Sequence, residues 1–118
     1  MTVVTSVASG TETLTLDTPY TLNGAAIAAE GIYTFWLDVN AMLGTATPDI
    51  LTIKINAEAI ASGTARQVAM YTLAGVQGNK VWRSPPFEVI ANESLACVIE
   101  QTDGTGRAIP WEIRKIGS

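Results

Sequence analysis

Apolar and polar residues alternate along most of this 118-residue chain. In segments 32–39 and 50–60 the odd-numbered residues are all apolar, which places them on one face of an extended strand. Similar short stretches over 66–74, 80–83 and 87–90 are separated by Gly, Pro or Asn. Strands that recur about every ten residues with turn residues between them are typical of an antiparallel sandwich or barrel. We therefore predict an all-β fold: an antiparallel β-sandwich that is jelly-roll-like and has an extended N-terminal arm.

The last quarter of the chain predicts a β-hairpin. Two apolar stretches flank residues 102–106, where Gly104 and Gly106 provide the positive φ angles that a short hairpin loop needs. Directly opposed residues of an antiparallel pair share a face, so apolar side chains should be matched with apolar side chains. Pro110 has no N–H for a ladder, which predicts that the last strand is an edge strand or is bulged there. The expected pairs are Leu95 with Ile113, Cys97 with Trp111, and Ile99 with Ile109.

The start of the chain is rich in threonine and poor in bulky apolar groups. Segment 11–16 alternates at period two, which predicts an extended arm or an edge strand. We accordingly divide the chain into an arm over residues 1–20 and a single β-sandwich domain over residues 21–118. An arm of about sixteen extended residues reaches about 50 Å, far enough to add as a strand to a neighbouring subunit. Deletion of residues 2–16 is therefore expected to leave a folded domain that attaches poorly.

The charge content limits the classes of partner. Charged residues make up 15% of the chain and the net charge is −4, so we expect part of this weakly charged surface to be buried against other subunits. The basic residues form no stripe that would neutralise phosphates, which argues against nucleic acid as a partner. No uncharged apolar segment approaches the ~18 residues of a membrane span, and the first residues lack the features of a secretion signal. We therefore expect synthesis in a cytoplasm and no membrane partner.

No catalytic or metal-binding motif stands out in the sequence. The absence of histidine excludes Ser-His-Asp and Cys-His systems and leaves zinc with only carboxylates and one thiol. Cys97, the single cysteine, is expected to be a small buried apolar residue that forms no disulfide within the chain. Carboxylates on the predicted strands could converge as a glycosidase-like pair, but we interpret them as solvated positions that alternate with core residues. We therefore expect no enzyme activity, no cofactor and no bound metal.

The three tryptophans are the remaining candidates for a binding site. They could form a platform for stacking sugars, as in carbohydrate-binding modules, or act as core and interface anchors, which we favour. Trp111 already has a predicted place in the core, whereas Trp36 and Trp82 do not. The candidate interface residues are Trp36, Trp82, Thr11, Thr13, Leu14 and Leu16.

From about residue 31 onward the chain resembles small structural proteins encoded by tailed bacteriophages. The resemblance lies in four stretches in the same order: Leu-Asp-Val-Asn at 37–40, Leu-Thr-Ile-Lys-Ile at 51–55, Ser-Pro-Pro-Phe at 84–87, and Gln-Thr-Asp-Gly-Thr-Gly-Arg-Ala-Ile-Pro-Trp at 101–111. It covers roughly three quarters of the chain and leaves out the threonine-rich start. Proteins of this kind look like virion components, either capsid decoration (cement) proteins or tail-associated parts, and they carry no catalytic residues to transfer.

The resemblance implies two alternative functions. The first is a capsid cement protein, a homo-oligomer with a trimer favoured, which sits on the outer capsid surface where subunits of the major capsid protein meet and stabilises the head. The alternative is a receptor- or glycan-binding module in a tail or fibre. Copy number distinguishes them, because a cement protein covers the shell in hundreds of copies and a tail module is present in few.

Overall fold

The computed structural model describes residues 3–43, 48–58, 60, 63–90 and 92–117. Within these residues the chain forms nine strands and one 3-10 turn, Leu22–Gly24. The strands are β1 (Val4–Thr13), β2 (Tyr20–Thr21), β3 (Gly31–Asp38), β4 (Ile50–Glu58), β5 (Ala65–Ala74), β6 (Val81–Arg83), β7 (Phe87–Val89), β8 (Leu95–Asp103) and β9 (Ala108–Ile116).

The strands form two antiparallel sheets that pack face to face. The five-stranded sheet has the order β1-β9-β3-β6. β6 and β7 share one edge of β3: β7 pairs with residues 31–33 and β6 with residues 36–38. The four-stranded sheet has the order β2-β8-β4-β5. All neighbouring strands in both sheets are antiparallel. The predicted antiparallel β-sandwich is confirmed.

The core lies between the two sheets and is formed by the alternating apolar residues of the strands. The predicted strand segments 32–39 and 50–60 correspond to β3 and β4, and their odd-numbered residues face inward. Each large apolar side chain that is removed from water contributes about 1.5–3 kcal/mol to folding. Ala59, near the end of the second segment, lies outside the described residues. The core residues of these two strands are Tyr33, Phe35, Leu37, Leu51, Ile53 and Ile55.

β8 and β9 do not form the predicted hairpin. β8 pairs with β2 and β4 in the four-stranded sheet, whereas β9 pairs with β1 and β3 in the five-stranded sheet. The loop between them therefore crosses from one sheet to the other as a β-arch. The predicted faces are right, since the six apolar residues of the expected pairs are all buried. The predicted pairing is wrong because apolar residues that face each other across a core give the same pattern as neighbours within one sheet.

Pro110 lies in a central strand, which corrects the expectation of an edge strand. β9 has β1 on one side and β3 on the other. Its pairing with β3 ends where Trp111 is opposite Leu37, so Pro110 pairs only with Thr11 of β1. A residue without an N–H is tolerated there because it lies beyond the end of the β3 ladder.

The N-terminal segment forms the edge strand of the five-stranded sheet, and described residues 3–20 show no arm that is separate from the sandwich. β1 pairs with β9 along its whole length. A Cβ at Gly10 would lie only 3.0 Å from the Trp111 ring, so glycine allows the ring to pack against β1. Leu14, just after the strand, is 4% exposed within the core. These contacts make β1 part of the sandwich, which is the edge-strand alternative of the sequence analysis.

A buried carboxylate joins the loops at one end of the sandwich. Asp49 is 1% exposed and directly precedes β4. Its side chain forms an ion pair with Arg107 Nε (2.8 Å) and accepts hydrogen bonds from the N–H groups of Leu43 (2.7 Å) and Thr105 (3.0 Å). Burial alone raises the pKa of a carboxyl group, but these donors outweigh it and hold the pKa of Asp49 below its ordinary value. One charged group therefore holds the β8–β9 arch against the loop before β4.

Gln101 organises the inside of the arch. It lies near the end of β8 and is 2% exposed. Its Nε2 donates hydrogen bonds to the carbonyl oxygens of Thr105 (2.7 Å) and Asp103 (3.0 Å), and its Oε1 accepts one from the N–H of Arg107 (3.0 Å). A single amide side chain thus binds three backbone groups, two of them in the loop between β8 and β9 and one at the last residue of β8.

The two glycines of the arch are required for close packing. Gly104 has a φ of 85°, and a Cβ there would overlap Asp49. A Cβ at Gly106 would overlap the carbonyl oxygen of Leu14, whose N–H donates to the carbonyl oxygen of Arg107 (2.9 Å). The glycines predicted as hairpin-loop residues therefore allow three segments of the chain to approach one another.

We predict that deletion of residues 2–16 prevents stable folding, contrary to the expectation from the sequence. The deletion removes β1 and the buried Leu14, and it uncovers Trp111 and the backbone edge of β9. Truncating one large apolar core side chain alone costs about 2–5 kcal/mol, a large part of the stability of a small domain. Circular dichroism and thermal unfolding measure the effect. A truncated chain that melts near the temperature of the full chain would contradict the prediction.

Asp49→Asn should lower the free energy of unfolding by about 2–4 kcal/mol. The amide keeps the shape of the side chain but loses the charge that pairs with Arg107. Because the folded-state pKa is lowered, the carboxylate stabilises the fold above the ordinary carboxyl pKa, and this contribution is lost as the pH falls through the folded-state pKa. Urea unfolding at neutral and acid pH measures both effects.

Asp17→Asn is the matched control for this substitution. Asp17 is exposed, and asparagine tolerates its positive φ of 60°. The difference in stability between Asp49→Asn and the wild type should shrink at acid pH, whereas the control should stay close to the wild type throughout. Equal losses for the two variants at neutral pH would show that Asp49 has no special role.

Candidate interaction surface

Trp36 lies on the outer face of the five-stranded sheet. β3 buries its odd-numbered residues, so the side chain of Trp36 points away from the core. It is directly opposite Glu112 on β9 and Arg83 on β6. The ring is half-buried, and its Nε1 donates a hydrogen bond to Thr34 Oγ1 (3.0 Å). The indole is therefore held in one orientation on the surface.

Two guanidinium groups lie close to the Trp36 ring. Arg114 Cζ is 3.9 Å from the ring centroid, and Arg83 Cζ is 5.7 Å from it. Both distances are within the range of cation–π attraction, which contributes ~0.5–1 kcal/mol at exposed sites. Arg114 Nε also donates a hydrogen bond to Glu112 Oε1. This bond lowers the pKa of Glu112 against a smaller opposing effect of burial.

A cleft of about 230 Å³ opens beside the tryptophan. Both carboxylates in its lining have hydrogen-bond partners: Asp38 accepts from the N–H of Asn40 (3.0 Å), and Glu112 accepts from Arg114. Asp38 is exposed. Glu112 is ion-paired and its pKa is lowered, so it does not have the apolar surroundings that turn a carboxyl group into a proton donor at neutral pH. The cleft is suited to non-covalent contact. We call the side chains Trp36, Asp38, Val81, Pro110, Glu112 and Arg114 the Trp36 surface.

The outer face of the four-stranded sheet carries polar side chains on β4 and the exposed Met70 on β5. Its strand β4 presents Thr52, Lys54 and Asn56 between the buried apolar residues. The five-stranded sheet instead presents Trp36 and Val81, and Val81 is 52% exposed. Aromatic and apolar side chains next to arginines are typical of the centres of protein interfaces. The Trp36 surface is therefore the candidate interaction surface.

The structure brings some of the predicted interface residues together and separates others. Trp36 and Thr11 share the outer face of the five-stranded sheet, because Thr11 is opposite Pro110 of the Trp36 surface. Thr13 is exposed at the end of β1. Leu16 is 38% exposed in the loop that follows.

Leu14 and Trp82 point inward. Leu14 differs from the prediction of an interface residue. The alternation in the sequence continues past Thr13, but β1 ends there and the chain turns Leu14 into the core, where it cannot contact a partner. Trp82 packs edge-to-face against Tyr71 with 5.2 Å between the ring centroids, and the pair closes the side of the sandwich between β5 and β6. Trp82 therefore has a packing place that the sequence did not reveal.

The charged neighbours of the tryptophan are not among the residues predicted from the sequence. Arg83, Glu112 and Arg114 reach it because β6 and β9 flank β3. The expected hairpin placed the last strand against β8 instead. A usable pattern was present in β9, where Glu112 and Arg114 alternate with the buried Trp111 and Ile113 and must therefore face outward.

The thiol of Cys97 is shielded from solvent. Cys97 is 1% exposed, as predicted, and burial raises its pKa to about 12. Among the described residues, no group of three or more Cys, Asp or Glu side chains could hold a metal ion. No helix in the described part of the chain is long and apolar enough to cross a membrane.

Comparison with known proteins identifies no relative. No known protein family, curated protein or solved structure matches this chain.

Arg114→Ala should increase the quenching of tryptophan fluorescence by acrylamide. The substitution removes the guanidinium that covers the Trp36 ring, while Trp111 stays buried and Trp82 keeps its contact with the core. The loss of stability should stay below about 1 kcal/mol, because the ion pair and the cation–π contact are at the surface. Lys115→Ala on the same strand is the control. Equal quenching in the two variants would argue against the stacked geometry.

Proposed function

We propose that this protein is a structural virion protein of a tailed bacteriophage: a decoration (cement) protein that binds the outer capsid surface through the Trp36 surface. Its partner is the major capsid protein, and it joins the virion after synthesis in the cytoplasm of the host bacterium. The observation that carries the proposal is the outward tryptophan with Arg114 and Arg83 close to its ring. Trp and Arg are among the residues that most often supply the binding energy of protein interfaces.

The arrangement favours a protein partner over a sugar. A sugar stacks on the open face of an aromatic ring, but Arg114 already lies at stacking distance, 3.9 Å from the centroid of Trp36. The cleft of about 230 Å³ is smaller than the usual ligand pocket of about 300–1,000 Å³. A glycan-binding tail or fibre module, which is the alternative function, therefore has less support.

The order of the strands supports the finer prediction of a jelly roll. If β6 and β7 are counted as one interrupted strand, eight strand positions are divided equally between the two sheets, in the orders β1-β9-β3-β6 and β2-β8-β4-β5. Jelly rolls are used in viral capsid and lectin domains. Because one fold hosts many functions, the architecture supports a virion role only together with the chemistry of the surface.

The resemblance to phage structural proteins supports the proposal through the β8–β9 arch. Residues 101–111 include Gln101, the two arch glycines and Arg107, and these residues hold the arch together. Their roles are structural, so the resemblance supports a shared architecture more than a shared binding site. Trp36 lies just outside the resembling stretches.

A decoration protein acts in many copies. We take the assembly to be a homo-oligomer, with a trimer favoured, that places several Trp36 surfaces on the shell at once. Multivalent attachment turns individually weak contacts into firm binding. The added interface between capsid subunits then resists the internal pressure of the head.

Binding to phage particles that lack this protein tests the proposal. The purified chain should bind in hundreds of copies per particle, as measured by gel densitometry. Trp36→Ala should weaken binding by about 30-fold or more, which corresponds to the loss of about 2 kcal/mol expected of a central interface residue. Ile60→Ala is the control, because Ile60 is 71% exposed but lies between β4 and β5, away from the Trp36 surface.

The possible results separate the two functions. Binding of only a few copies, located at the tail, would support the tail or fibre module instead. Binding of hundreds of copies with equal affinity for the wild type and Trp36→Ala would keep the decoration role and reject the Trp36 surface as the contact.

A further inference from the structure

The two sheets have four lateral edges, and two of these edges are protected against pairing. The four-stranded sheet ends on one side at β2, which has only two residues. The five-stranded sheet ends on one side at β6 and β7, which are separated by residues 84–86, two of them prolines, and which carry Arg83 and Glu88. Short strands, prolines and charges all prevent a sheet edge from pairing with another chain.

The other two edges, β1 and β5, are long and contain no proline, and apart from a single charge the protection of each is one bulge. Each strand is ten residues long and has a partner strand on only one side in the described part of the chain. Each contains only one charged residue. Together they carry Val4, Val7, Val68 and Met70, which are 46–57% exposed. Long, weakly charged edges with exposed apolar side chains are the edges to which another strand adds.

The single charges of the two strands are complementary. β1 contains Glu12 as its last residue but one, and β5 contains Arg66 as its second residue. If the strands lie antiparallel and overlap over all ten residues, Glu12 is directly opposite Arg66. In the parallel arrangement with the same overlap, Glu12 is opposite Leu73 and Arg66 is opposite Thr5. The charges therefore favour the antiparallel arrangement.

We propose that β1 of one copy of this chain pairs antiparallel with β5 of a second copy, with Glu12 opposite Arg66. Directly opposed side chains in an antiparallel pair have Cβ atoms about 4.5–5.5 Å apart, which is close enough for an ion pair between these two residues. The pairing adds a backbone ladder to both sheets and brings the exposed apolar side chains of both edges into one interface.

At both ends of this register, directly opposed residues of β1 and β5 lie on the same side of their sheets. Glu12 is opposite Ile109 and Arg66 is opposite Ala57, so both charges lie on the core-facing side of their own sheets. β1 and β5 each contain one extra residue relative to the partner strand in their own sheet. The two shifts cancel, so directly opposed residues at the far end of the pair again lie on the same face. Between the two shifts the faces are out of phase over a short stretch, which places an interruption of the ladder near its centre.

β1 and β5 lie on opposite sides of the sandwich. The Tyr71–Trp82 contact places β5 over β6, at the end of the five-stranded sheet that is far from β1. One copy can therefore pair with two others, and such head-to-tail contacts build rings or open chains of copies. The inference rests on the proposed function only in that a decoration protein works as an assembly of copies. The contact itself can be tested without any particle.

Charge reversal in the isolated full-length chain tests the ion pair. Sedimentation over a range of concentrations gives the dissociation constant between copies. Glu12→Arg and Arg66→Glu should each raise it about tenfold, because each variant places two like charges opposite each other. The double variant restores the pair in the reverse order and should bind within about threefold of the wild type.

Glu88→Arg and Lys80→Glu are the matched controls. They make the same changes of charge at exposed positions outside β1 and β5. Each should leave the dissociation constant within about threefold of the wild type, which separates the local pairing from the effect of net charge.

A pair of introduced cysteines tests the register directly. Thr11→Cys and Gln67→Cys in one chain lie on opposite sides of the sandwich, so they can form a disulfide only between copies. In the proposed register they are directly opposed at a spacing that suits a disulfide. Mild oxidation should therefore link copies covalently. The mismatched control is Thr11→Cys combined with Thr72→Cys, whose two positions are about 17 Å out of register and should not link copies. The native Cys97 is buried and does not interfere.

Three results would overturn the proposal: a wild-type chain that stays monomeric at micromolar concentration, charge reversals that act no differently from the controls, or a matched cysteine pair that links copies no better than the mismatched pair. A monomeric chain that still binds particles in hundreds of copies would overturn this contact and leave the proposed function standing. An oligomer that shows the charge-reversal pattern but does not bind particles would support the contact and reject the proposed function.

Discussion

The buried carboxylate of Asp49 holds together the end of the sandwich at which the chain changes sheets. It binds the guanidinium of Arg107 and two backbone N–H groups, so the loop before β4 and the β8–β9 arch share one charged group. The backbone of Asp49 extends the contact, because its carbonyl oxygen accepts a hydrogen bond from the N–H of Gly75 after β5 (2.8 Å). A carboxylate buried without such partners costs several kcal/mol. The three loops therefore depend on one another for their conformation.

The arch also determines where the surface chemistry lies. It delivers β9 into the middle of the five-stranded sheet, between β1 and β3. β9 then places Glu112 and Arg114 on the outer face near Trp36, and it buries Trp111 and Ile113 on the inner face. A hairpin would put the same strand into the other sheet and leave the Trp36 ring without the closer of its two guanidinium groups. The interaction surface thus depends on a loop that contributes no side chain to it.

The strands and their buried faces could be predicted from the sequence, because a period-two alternation requires no knowledge of the partner strand. β3, β4 and the apolar faces of β8 and β9 are of this kind. The pairing could not be predicted, since two strands side by side and two strands face to face need the same apolar residues. Trp36 was identifiable as an outward aromatic residue, but its neighbours depend on which strands flank β3. Leu14 shows the same limit, because its burial depends on contact with Arg107 in the arch.

Cys97 gives the chain an internal reporter of its own opening. The thiol is enclosed between the sheets at 1% exposure, and its pKa of about 12 leaves almost no thiolate at neutral pH. A thiol-specific reagent can therefore modify it only in molecules whose sheets have separated. When reclosing is faster than labelling, the labelling rate at this single site, relative to that of an unfolded thiol, measures the free energy of that separation without denaturant. Because the sequence contains no second cysteine, the measurement needs no engineered variant.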